Sequence, residues 1–164
     1  LTPAAQWIRR FASDKILLGG NVRFTGGARP FATSPAHANV ARFQRIIDAI
    51  GVPEDVSVER CTPSNLAVQL LYSDDVNVGL DCQMEEGLDR HLEIVLEFDK
   101  GIVRQQDRRI FVDGGEVELT PSEGLFLTDQ LAATASILDG TESYIPMEQI
   151  LDGLSVADLV MGVS

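Results

Sequence analysis

A histidine close behind a Ser-Pro pair is the first place in this chain where residue type and spacing invite chemistry. Ser34-Pro35 reads as a helix opening: the hydroxyl can cap free backbone N–H groups, and proline loses nothing at the first helical position. His37 would then fall in the first turn, near those N–H groups and the positive end of the helix dipole, which disfavours the imidazolium. A neutral imidazole there can take a proton from a hydroxyl, the work of a general base. The plainer reading is a helix-start histidine at the surface, with no task. Arg23, Arg29 and Arg42 flank the same approach. A guanidinium fork suits a carboxylate or phosphate, and Arg29, in a loop beside Pro30, is the best placed. Ser34 has no partner histidine or aspartate arranged around it in the sequence, so capping explains it better than nucleophilic attack.

The remaining reactive groups are few. His91 follows Asp89-Arg90 at a strand start and reads as a loop histidine. Neither histidine is flanked by carboxylates at ligand-like spacing, so no metal site is expected. Cys61 and Cys82 are too few for a disulfide scaffold and lack C-x-x-C spacing. Cys82 stands in an alternating apolar row, as a small core hydrophobe of a reducing compartment would. A cytoplasmic location is therefore expected. No G-x-G-x-x-G occurs, and the pairs Gly19-Gly20 and Gly26-Gly27 lack the spacing that lets a turn cradle pyrophosphate. The chain alone is thus expected to bind no dinucleotide.

Composition narrows the classes further. Twenty-five acidic against thirteen basic side chains leave a net charge of −12. Such a surface repels phosphate backbones and anionic headgroups, so nucleic acid and membrane surfaces are not expected partners. Apolar stretches run to only a few residues, far short of the ~20 that span a bilayer. With 45% hydrophobic residues there is material for a full core, and the length suits one domain, residues 1–164. Leu1 in place of Met points to a processed or excised piece of something longer.

The elements that must position these groups announce themselves by period and punctuation. Thr2-Pro3 opens a helix with Ala4, Trp7, Ile8 and Phe11 at helical spacing. Ser34-Pro35 opens a second, with Val40, Phe43, Ile47 and Ile50 on one face and Gly51 as the stop. Thr120-Pro121-Ser122-Glu123 is a capping box before Leu127, Leu131, Ala135 and Leu138. Pro146 begins the last helix, with Ile150, Leu154, Ala157 and Met161 as its expected apolar series. Gly153 inside it costs about 1 kcal/mol relative to alanine. Between Val56 and Leu119 the period becomes two: Leu66 to Tyr72, Val76 to Met84 and Leu92 to Phe98 are alternating rows. Asp99-Lys100-Gly101 and Asp113-Gly114-Gly115 read as tight turns. Strict alternation means one buried and one wetter face, so the fold class is α+β, an open, mainly antiparallel sheet meander with helices on one face. The three rows are expected to be neighbouring antiparallel strands. A short earlier strand runs from Asn21 to Thr25.

That order of elements, with that punctuation, resembles the C-terminal domain of the Gfo/Idh/MocA oxidoreductases, the relatives of glucose–fructose oxidoreductase and inositol dehydrogenase. Pro3 to Phe24 is similar to the family's helix, turn and first sheet strand. Gly26 to Gly51 is similar to its glycine-rich approach to a histidine-bearing helix. Leu92 to Gly101 resembles the family strand reading apolar-x-F-x-x-G, and Tyr144 through Ser164 resembles its closing helix. The resemblance implies a substrate-binding and oligomerisation domain of an NAD- or NADP-dependent dehydrogenase acting on a sugar, polyol or similar small molecule. It also implies homo-oligomers formed through the open sheet face. The cofactor-binding Rossmann domain and the Glu-Lys-Pro motif would lie upstream of Leu1. His37 occupies the family's catalytic histidine position and would face the nicotinamide, with Arg29, Thr33 and Arg23 as substrate contacts. Thr33 and Val40 stand where the family has aspartates, so no acidic partner for the imidazole is expected. Two rivals remain: a non-catalytic α+β module kept for self-association or small-ligand capture, and an α+β cup of the nuclear-transport-factor type. The second normally ends on strands, whereas this chain ends on predicted helices.

Overall fold

The computed structural model describes residues 3–28, 34–73, 75–119 and 147–162. In chain order these give α1 (Pro3–Ala12), β1 (Leu17–Gly26), α2 (Val40–Ile50), then β2 (Asp55–Cys61), β3 (Asn65–Leu71), β4 (Asn77–Met84), β5 (His91–Phe98), β6 (Gly101–Gln106), β7 (Arg109–Val112) and β8 (Gly115–Val117), and last α3 (Met147–Val160). The capping-box helix expected after Thr120 lies outside the described residues, as does Thr2. The α+β class with an open, mainly antiparallel sheet is borne out, and every row of period two is a strand.

The order across the sheet is β2-β3-β4-β1-β5-β6-β7-β8. One expectation needs correction. The rows ending at Met84 and beginning at Leu92 are not neighbours: β1 lies between them, parallel to β4 and antiparallel to β5. The β4–β5 connection passes over the end of β1, where the Glu85 N–H donates to the Gly26 carbonyl at 3.1 Å. β1 also runs longer than Asn21–Thr25, from Leu17 to Gly26.

Register explains why β1 fits. Val22 lies opposite Leu80 on one side and Ile94 on the other, and the row continues outward through Val68 and Val58, and through Gln105, Ile110 and Val117. One row therefore crosses all eight strands, buried from Val68 to Ile110 and exposed at Val58 on β2. Gly20 is required by close approach: an added Cβ would stand 2.6 Å from the Val95 carbonyl oxygen and 2.8 Å from Leu96 Cδ2.

The helices cover the apolar face of this sheet. Ala4 and Ile8 of α1, Phe43, Ile46 and Ile47 of α2, and Val156, Ala157 and Val160 of α3 join Val22, Phe24, Leu66, Leu80, Cys82 and Leu96 in one core. Each large aliphatic or aromatic side chain buried there contributes roughly 1.5–3 kcal/mol. Trp7 stacks on Phe11, and Phe11 meets the edge of Phe98, at ring separations of 5.3 and 5.6 Å. α3 differs from its predicted phase: Leu154 and Met161 are exposed, while Gly153 and Val156 face inward with Ala157 and Val160. Leu151, Leu154 and Leu159 surround the buried stripe with further apolar residues, so hydropathy alone did not fix which side turns in.

Candidate functional site

The segment that leads into α2 is built as a tight turn before the helix proper. The Ser34 carbonyl accepts the Ala38 N–H at 3.0 Å, and the Ala36 carbonyl accepts the Asn39 N–H at 3.0 Å. His37–Asn39 form a single 3₁₀ turn, and regular α-helix begins only at Val40. The start expected at Ser34-Pro35 is thus delayed by tightening of the first turn, a common state of helix ends. Asn39 explains the delay: its amide donates to the Pro35 carbonyl at 2.7 Å, a local bond that competes with helix. The capping role read for Ser34 holds, because its Oγ accepts the His37 N–H at 3.2 Å.

The same Oγ stands 2.6 Å from His37 Nδ1. On the other side of the ring, Nε2 lies 3.2 Å from Oδ1 of Asp158, which α3 carries to this place from 121 positions along the chain. The structure therefore corrects two readings. His37 has an acidic partner despite Thr33, and Ser34 stands in a Ser–His–Asp chain. Both ring and carboxylate are partly exposed. Asp158 had no sequence signal beyond its position one residue after Ala157 on the closing helix.

Deeper in, Arg42 is 7% exposed. Its guanidinium carbon sits 3.4 Å above the centre of the Phe24 ring, and Nη1 donates to Asn39 Oδ1 and reaches Met84 Sδ at 3.5 Å. These contacts replace the water a buried cation loses, and they tie the turn at Asn39 to strands β1 and β4. Beside them burial pushes the Cys82 thiol up to about 12, with the Arg42 charge pulling the other way.

Arg23 lies elsewhere. Val22 and Phe24 point into the core, so Arg23 is exposed on the sheet face opposite the helices, between Asp81 and Glu93 of the neighbouring strands. The structure does not bring it together with His37. Arg29 and Thr33 lie outside the described residues. His91, expected in a loop, is instead the first residue of β5, with Nδ1 3.5 Å from Asp107 Oδ2 in an exposed pair. The Leu92 N–H donated to Asp107 is the main cause of that carboxyl's lowered pKa. A cleft of about 430 Å³ at the other end of α2, lined by Arg9, Ser13, Gln44, Asp48 and Asp152 among others, is remote from His37. Among the described residues, no helix is long and apolar enough to cross a membrane.

The helix-backed, eight-stranded open sheet is the fold of the corresponding domain in solved Gfo/Idh/MocA-type oxidoreductases, and the resemblance read from the sequence is borne out at the level of fold. Among solved structures, biliverdin reductase from Synechocystis, in complex with biliverdin and NADP+, matches with a TM-score of 0.75 and 19% identity over 98% of this chain and 59% of that one. UDP-N-acetylglucosamine 3-dehydrogenase from Acidithiobacillus ferrooxidans matches at 0.73 and 10% identity, over 98% and 57%. A 3-ketoreductase from Actinomadura kijaniata in complex with NADP matches at 0.67 and 15% identity, over 99% and 56%. The chain thus spans less than two thirds of the length of each. No protein-family model and no curated protein sequence matches it.

Proposed function

We propose that this chain is the substrate-binding and oligomerisation domain of an NAD(P)-dependent oxidoreductase acting on a sugar, polyol or related small hydroxy or carbonyl compound. The observation that carries this reading is the fold match, which takes in nearly all of this chain but under three fifths of each dehydrogenase or reductase named above. The part of those proteins that it leaves out is where the reading places the dinucleotide-binding domain, upstream in the whole protein. The residues described here do not fit that cofactor. Gly19-Gly20 lie inside β1 and Gly26-Gly27 at its end, neither opening a helix, whereas a pyrophosphate needs backbone N–H groups at a helix N-terminus.

His37 is the residue assigned to acid–base or hydroxyl-orienting work, with Arg29 and Thr33 as substrate contacts on the approach. The sheet face that carries Asn21, Asn77, Gly79 and Val95 is the assigned surface for self-association. In the full-length enzyme, replacing His37 by alanine should lower kcat by roughly 10²–10⁴. A loss under tenfold with an unchanged pH profile would move the chemistry elsewhere. One observation favours the rival, non-catalytic reading: both ring nitrogens of His37 already have partners within the chain. A gene that encodes no G-x-G-x-x-G strand–turn–helix and no Glu-Lys-Pro ahead of this segment would decide for the rival.

A further inference from the structure

We propose that Ser34, His37 and Asp158 form a proton relay in which Asp158 is the positioning residue and the Ser34 hydroxyl, rather than the imidazole, meets the ligand. Its participation in turnover rests on the oxidoreductase reading; its hydrogen-bond polarity does not.

The polarity follows from counting donors. A carboxylate only accepts, so a neutral His37 facing Asp158 across 3.2 Å must carry its proton on Nε2. Nδ1 is then a bare lone pair, and the oxygen 2.6 Å away must donate its hydrogen to it. The reverse tautomer would point the Nε2 lone pair at a negative oxygen. Ser34 Oγ meanwhile accepts the His37 N–H at 3.2 Å. A hydroxyl has one hydrogen and two lone pairs, so one acceptor site on Oγ has no partner among the described residues. A ligand bearing a hydroxyl can donate there.

The transfer balances without further reagents. The ligand O–H bond breaks and a new O–H bond forms on Ser34, while the original Ser34 proton passes to Nδ1. The resulting imidazolium holds its second N–H against the Asp158 carboxylate, which stabilises the charge and keeps the ring from turning. In reverse, Ser34 gives a proton back to the ligand oxygen as Nδ1 gives one back to Ser34. The ligand class is thus a small molecule with a hydroxyl within hydrogen-bond reach of Ser34. Asp158 supplies from α3 the carboxylate that Thr33 and Val40 do not supply from the approach and α2.

The test is the tautomer of His37 in the chain itself. Long-range ¹H–¹⁵N spectra would be recorded at pH about 8.5, above the ordinary imidazole range of about 6.5, with His91 as the internal reference. The expected wild-type pattern for His37 is a protonated Nε2 and a bare, hydrogen-bonded Nδ1. Asp158→Ala should lose that pattern to a mixture of tautomers. Ser34→Ala should move the Nδ1 resonance toward that of an unbonded nitrogen; it also carries the test should Asp158→Ala not fold. A wild-type ring protonated on Nδ1, or shifts that neither alanine variant moves, would overturn the relay. Either failure leaves the oxidoreductase reading standing, and a gene lacking the cofactor domain would remove that reading without touching the relay's polarity.

Discussion

Gly153→Ala sets two effects of similar size against each other, and the structure decides the sign. In an exposed helix the change gains about 1 kcal/mol, because glycine is the costlier residue by that amount. Gly153 is not exposed: α3 rests on α2 there, and an added Cβ would lie 2.9 Å from Gln44 Oε1 and 3.3 Å from both Cγ1 and the carbonyl oxygen of Val40. The Gln44 amide can swing aside, but its Nε2 then gives up the 2.9 Å bond to Asp48 Oδ1, worth about 1 kcal/mol. The Val40 carbonyl belongs to the backbone of α2 and can yield only if the two helices separate. Overpacking of that kind costs about 1–3 kcal/mol, so the net expectation is a loss of about 1–3 kcal/mol. At about 2–4 °C per kcal/mol for a chain of this size, Tm should fall by about 2–12 °C. Urea titration followed through the single tryptophan, Trp7, reads the change, since α1 packs on α2. Ser155→Ala on the exposed side of α3 is the control and should gain a few tenths of a kcal/mol. A Gly153→Ala variant more stable than wild type would mean that α3 stands off α2, and the reach of Asp158 to His37 would go with it.

Thiol labelling should divide the two cysteines: exposed Cys61 reacts in the folded chain, while buried Cys82 reacts only on unfolding. Because the folded Cys82 pKa is raised to about 12, its contribution to stability is whole below the ordinary thiol range. It is lost as pH climbs from there toward 12, so a Cys82→Ala variant should show a flatter alkaline limb in denaturant titrations across that window. Gly20→Ala forces a methyl against the Val95 carbonyl and should cost more than about 2 kcal/mol; an unchanged urea midpoint would refute the tight packing of β1. Sedimentation between about 0.05 and 0.5 M salt should show dimers strengthening as screening weakens repulsion between acidic sheet faces. A monomer at every condition would count against association through that face.

Much of the fold was legible because burial of one sheet face writes itself into the sequence as a period of two. Leu66 to Leu70, Val78 to Met84 and Leu92 to Phe98 each became a strand with that face inward. What alternation does not encode is the partner. Leu17-Leu18-Gly19-Gly20 breaks the pattern, the register with β5 shifts between Leu17 and Gly19, and nothing local says that β1 pairs with strands about sixty to eighty positions later. The site divides similarly. His37 could be singled out from a Ser-Pro helix start beside it, whereas Asp158 is one of 25 acidic residues and becomes a partner only once α3 has docked. A capping serine and a hydroxyl that donates to an imidazole also look alike in sequence, because Ser34 does both.

The place of β1 has a consequence for how the chain assembles. β2-β3-β4 and β5-β6-β7-β8 are each runs of consecutive strands joined by short connections, able to zip from local contacts at low entropic cost. Among the described residues, β1 alone joins the two runs, and its pairings to β4 and β5 span long stretches of chain. Until it docks, each run ends in an unpaired edge, and such edges recruit foreign strands. Closure is therefore the non-local, slow event. A chain cut in the loop after β1 becomes a natural split protein: its first 28 residues act as a peptide that should rejoin the two runs in trans.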